Sequence, residues 1–125
     1  MAKLYAPCVG SMLKLLIDVH VGEYTMQTED TDFTVSFCVG GHGNIKSIPV
    51  SKSDDTPGGT YNSWCIPDES TTESTGYIFY IDTTTLQPGV LYLSINFEYD
   101  IEGATIQEVA RYDTDIQLWE TPQVE

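Results

Sequence analysis

The run Leu91-Tyr92-Leu93-Ser94-Ile95-Asn96-Phe97-Glu98-Tyr99-Asp100 places an apolar side chain at every second position. A β-strand turns successive side chains to opposite faces, so Leu91, Leu93, Ile95, Phe97 and Tyr99 share one face and the intervening residues share the other. Outward from this stretch the same rhythm recurs. Leu13, Leu15, Ile17, Val19 and Val21 alternate with Lys14, Asp18 and His20, and Phe33, Val35, Phe37 and Val39 alternate with Thr34, Ser36 and Cys38. Tyr77, Phe79 and Ile81 form a fourth set. No stretch repeats at the helical interval.

Turn residues separate these sets. Gly22 and Glu23 follow the first strand, and Gly40 to Asn44 follow the second. Ile45 to Val50 reads as a short strand that Pro49 confines to a sheet edge, since proline has no N–H for a ladder. Tyr61 to Ile66 reads as another, after the polar loop Ser51 to Thr60, and Pro67 to Gly76 as a long loop. A Pro88-Gly89 turn leads into the long alternating strand. Ile106, Ala110, Tyr112, Ile116 and Leu118 share a face of the last strand, with a break expected near Asp113. The fold class is therefore all-β, and about seven strands suit an immunoglobulin-like β-sandwich of antiparallel strands. A jelly roll, which needs an eighth strand, is the alternative. The sequence divides into an extended N-terminal arm (1–11), a sandwich domain (12–118) and a C-terminal tail (119–125).

At 125 residues the chain is long enough for one core. Nineteen acidic residues against 5 basic ones give a net charge of -14. Phosphate backbones and anionic headgroups need clustered Lys and Arg, so neither nucleic acid nor a membrane is an expected partner. Cys8, Cys38 and Cys65 fit neither a disulfide framework nor a CxxC metal site, and they read as free thiols, with a bridge between Cys38 and Cys65 as the alternative. Lys14 and Asp18 interrupt the first hydrophobic stretch, so it reads as neither a secretory leader nor a membrane span, and synthesis in the cytoplasm is expected.

A search for chemistry points away from an enzyme and from any cofactor. His20 lies on the outer face of its strand, and His42 sits in a glycine-rich turn ill suited to rigid catalytic geometry. GxSxG, P-loop, GxGxxG and HExxH motifs are absent from the sequence. The carboxylates Glu29, Asp30 and Asp32, and Asp113 with Asp115, read as solvated turns rather than calcium loops. Aromatics are the better lead. Tyr80 and Tyr92 are out of phase with the apolar sets of their strands, which puts them on outer faces where a protein contact is expected. Trp64 is expected to fill the core beside Cys65. Leu4 and Tyr5 are the candidate contact residues of the arm, since an extended segment can add a strand to a neighbour's sheet edge. Tyr61 and Trp64 would serve a carbohydrate-binding alternative.

Three stretches carry a family resemblance. Gly22-Glu23-Tyr24-Thr25-Met26 with Asp32, Phe33 and Phe37, then Tyr77 to Asp82 leading through Leu86, Pro88 and Gly89 into the long strand, and Thr105 to Thr114 ending in Ile116, resemble the small immunoglobulin-like modules of tailed-phage virion proteins. Head-associated and upper-baseplate modules of crAss-like phages are the nearest in kind. The resemblance spans Gly22 to Leu118, with a longer segment at Ser51 to Gly76 than the compact pattern has. It implies a virion location and an auxiliary capsid protein that docks on a major capsid lattice or other virion proteins, with self-association possible. A fibre or baseplate adaptor is the alternative.

Overall fold

A computed structural model describes residues 5–40 and 46–121. Leu4 and His42 lie outside the described residues. The architecture is an all-β sandwich. Its strands are β1 (Met12–Ile17), β2 (His20–Val21), β3 (Tyr24–Thr25), β4 (Thr31–Val39), β5 (Ser47–Ser51), β6 (Trp64–Pro67), β7 (Tyr77–Asp82), β8 (Gly89–Ile101) and β9 (Ala104–Leu118). Seven of these nine build two antiparallel layers, a three-stranded sheet β1-β7-β6 and a four-stranded sheet β5-β4-β8-β9. The strands β2 and β3 form a separate two-residue hairpin. β4 lies with β5, β8 and β9, whereas constant-type immunoglobulin domains pair their second strand with the first.

The alternating residues meet between the layers. Phe33, Val35, Phe37, Val39, Leu91 and Phe97 of the larger sheet face Leu13, Cys65, Tyr77, Phe79 and Ile81 of the smaller one, and all are buried. Aromatic edges join them: Phe33 meets Tyr77 at 4.9 Å between ring centroids and Phe79 at 5.9 Å, and Phe37 meets Phe79 at 5.7 Å. Such pairs add about 0.5–1.5 kcal/mol beyond the area they bury.

Local chemistry sets the strand ends. The β8–β9 hairpin turns on Glu102 and Gly103, both with positive φ (51° and 84°), which is the primed turn whose twist matches its strands. At Gly89 any side chain would strike Val39, because an added Cβ would lie 2.6 Å from its Cγ1. The expected break in β9 is a bulge, where the register slips between Val90 and Tyr92 opposite Asp113 and Gln117. Pro49 is exposed on β5, an edge strand as its missing N–H demands.

The expected first strand is interrupted. Its ladder with β7 stops at Ile17, and His20 and Val21 pair instead with Thr25 and Tyr24. The segments at the two ends of the described residues meet each other. Val9 N donates to Trp119 O (2.9 Å), Trp119 N donates to Pro7 O (2.9 Å), and the Thr121 hydroxyl donates to Val9 O (2.8 Å).

The two long edges of the sandwich differ. On the β5–β6 side the layers are laced together, with Cys65 N donating to Asp54 O at 2.8 Å. On the β1–β9 side, among the described residues, β1 pairs only with β7 and β9 only with β8. A cleft of about 540 Å³ runs between those edges.

Candidate interaction surface

The outer face of the three-stranded sheet is built from residues that point away from Phe79 and its neighbours. The β1–β7–β6 register lines up Lys14 with Tyr80 and Trp64, and Leu16 with Ile78 and Ile66. Leu16 is 62% exposed and Met12 44%, while Ile66, Ile78, Trp64 and Tyr80 are half-buried. The Trp64 and Tyr80 rings stack at 4.9 Å with 19° between their planes, and Lys14 Nζ lies 6.0 Å from the Tyr80 centroid. This sheet is largely apolar on both faces, with Lys14 and Asp82 the charged residues of the outer one. Strands that are covered on both sides read as near-continuous hydrophobic runs, and β1 (MLKLLI) and β7 (YIFYID) read that way.

Trp64 is thus a correction to the sequence reading. Cys65 takes the inward position and is fully buried, so its strand neighbour must face outward, where the Tyr80 ring receives it. The same parity keeps Cys38 and Cys65 apart, because Cys65 faces the core while Cys38 pairs with outward-facing Tyr92; both are free thiols. Burial, with Asp54 and Asp55 nearby, pushes the Cys65 thiol up to about 12.

Tyr92 lies on the opposite side of the molecule, on the outer face of the four-stranded sheet. Arg111 covers its ring at 4.0 Å, a cation–π contact. Around it the face is mostly polar, with Ser36, Ser94, Asn96 and Glu98 in the outward rows and Val109 as an exposed apolar residue opposite Asn96. The Oδ1 atom of Asn96 is buried with no hydrogen-bond partner. Tyr5, 54% exposed, packs against Trp119 at 4.6 Å and belongs to neither sheet face. Tyr80, Tyr92 and Tyr5 therefore occupy three separate surfaces.

Leu16, Ile66 and Ile78 were not singled out from the sequence, although a signal was present. Leu16 holds an apolar residue where the alternation of β1 calls for a polar one, and Ile78 does the same between Tyr77 and Phe79.

Beside the aromatic pair, Asn62 Nδ2 donates to Asp82 Oδ2 at 3.2 Å, and the Thr84 hydroxyl and amide donate to Asp82 Oδ1 at 2.6 and 3.0 Å. These bonds, those from Thr84 first, hold the Asp82 carboxyl below its usual range. Among the described residues no cluster of His, Cys, Asp or Glu has metal-binding geometry, and no helix is long and apolar enough to cross a membrane. Comparison with family models, curated proteins and solved structures finds no match.

Proposed function

We propose that this chain is a structural virion component, an auxiliary capsid protein that docks on the major capsid lattice of a tailed phage through the outer face of its three-stranded sheet. The observation that carries the docking part is the row Leu16–Ile78–Ile66 beside the Trp64–Tyr80 stack: a sheet largely apolar on both faces, with Leu16 62% exposed on the outer one. The virion assignment itself rests on the sequence resemblance, and an immunoglobulin-like kinship is part of the same proposal. A lattice suits such a face. Repetition across symmetric sites turns a modest contact into full occupancy through avidity. Residues 7–9 are hydrogen-bonded to the chain's own C-terminal segment, so strand addition by that part of the arm would compete with those bonds.

The test is cosedimentation of the purified chain with capsids assembled from the major capsid protein of the same genome. The wild-type chain pellets with capsids, and Leu16→Lys, which sets a charge into the apolar row, stays in the supernatant. A chain that never pellets, or a variant that pellets as fully as wild type, overturns the proposal.

The outward Trp64 favours a second reading, a carbohydrate-binding sandwich. Its ring and that of Tyr80 lie beside Asn62 and the charged Asp82, a pairing of flat aromatic surface with polar groups that suits a sugar. Binding on a glycan array that disappears in Trp64→Ala would replace the first reading with this one.

A further inference from the structure

We propose that the cleft between the free edges of β1 and β9 is a strand-acceptor site for an extended segment of another protein in which apolar residues alternate with lysine or arginine. The cleft, about 540 Å³, lies where the two layers part, on the side away from the β5–β6 lacing. Its walls carry inward-facing side chains: Leu15 and Ile17 from β1, Leu93 and Ile95 from β8, Ala110 and Tyr112 from β9. That volume falls within the range of about 300–1,000 Å³ typical of ligand sites.

Backbone geometry selects an extended peptide over a compact ligand. Among the described residues neither β1 nor β9 has a ladder partner on its cleft side, so both are sheet edges open to a further strand along the opening, although the Ile116 amide already donates to the Thr114 hydroxyl. A strand laid there would gain main-chain hydrogen bonds from an edge, and every second side chain would enter the apolar floor. Tyr112, 63% exposed at the lip, is the side chain such a segment would cover most.

Charge selects the composition. Asp18 and Asp115 line the cleft mouth, and the chain as a whole carries -14. Arg111 is the cationic residue of the lining, and it is engaged by Tyr92 and by Asp113 at 3.2 Å. A second copy of this chain would bring the same negative charge to the opening and is disfavoured. The side chains that point out of the cleft are therefore basic. This site is bounded by inward-facing residues and stands independently of the outer-face proposal, apart from Leu16, which borders both.

The probe is a fluorescent octapeptide of alternating valine and lysine, titrated into the full chain by anisotropy, with hydrogen exchange at β1 and β9 as a second readout. The valine–lysine peptide binds, slows exchange along at least one of the two edges, and weakens with salt. A valine–glutamate peptide binds about tenfold more weakly or less, and a peptide with a central proline loses the edge protection. Ala110→Trp, which fills the cleft from an exposed position, abolishes peptide binding while leaving the circular-dichroism spectrum unchanged. Equal binding of the proline peptide, binding that survives Ala110→Trp, exchange protection elsewhere, or self-association through the cleft would each overturn the proposal. So would absence of binding.

Discussion

The two sheets share a core yet treat their outer faces in opposite ways. The four-stranded sheet turns Thr34, Ser36, Ser94, Asn96 and Glu98 to the outside, with Val109 as an isolated exposed apolar residue among them, and its outward aromatic, Tyr92, lies under Arg111. The three-stranded sheet turns out Leu16, Ile66, Ile78, Trp64 and Tyr80. Stability alone does not call for the second arrangement, because an outward apolar residue gains little from a core it does not touch. The smaller sheet carries the composition of a middle layer, with a core on one side and a row of partly exposed apolar side chains on the other. The larger sheet is an outer wall.

The sharpest test of this contrast compares inward and outward positions of the small sheet. Phe79→Ala removes the ring that joins Phe33 and Phe37 across the layers, and a loss of about 3–5 kcal/mol in urea unfolding is expected. A loss below about 1 kcal/mol would mean that the inner face is not the core.

The inner face also predicts a pH dependence. In the folded chain Cys65 holds its proton up to about 12, whereas an ordinary thiol releases it near 9.0. The folded state then binds more protons than the unfolded state across that interval. The stability contributed by burying the neutral thiol is complete below the lower value and declines as pH rises toward the upper one. Urea midpoints measured between those limits should fall more steeply for wild type than for Cys65→Ala. Parallel slopes would place the thiol in contact with water.

On the outer wall, Asn96 holds the one buried side-chain polar atom without a partner among the described residues. Its buried Oδ1 lacks a partner between Thr34 and Val109, so Asn96→Val should raise stability by about 1 kcal/mol, both by removing that atom and by suiting a strand. A destabilised variant would reveal a partner for the amide.

The smallest effect is expected at Leu16. Leu16→Lys should change stability by no more than about 0.5 kcal/mol while abolishing capsid docking. A loss as large as that of Phe79→Ala would make the outer row part of the fold itself and erase the distinction between the two faces.

Much of this architecture was legible in the chain. The period-two sets of β4, β7 and β8 correctly marked Phe33, Phe37, Phe79 and Phe97 as core, and Pro49 marked an edge. These are local consequences of strand geometry. Tyr80 and Tyr92 were likewise placed on outer faces by parity, but parity could not say that those faces lie on opposite sides of the molecule. Trp64 is expected in the core by analogy with the strand-borne tryptophan of immunoglobulin domains, but Cys65 holds the inward position and strand parity turns its neighbour out. The apolar row through Leu16 is not legible along the chain because its members come from three strands far apart in sequence.

Alternation, turn residues and charge are properties of neighbours along the backbone, and they established by themselves that the chain forms strands with one buried face and an acidic surface. Which strands pair, and therefore which side chains gather into a row or line a cleft, depends on contacts between residues dozens of positions apart. Only the packed sheets brought Leu16 beside Ile78 and Ile66, turned Trp64 onto Tyr80, and left β1 and β9 as edge strands bordering one cleft.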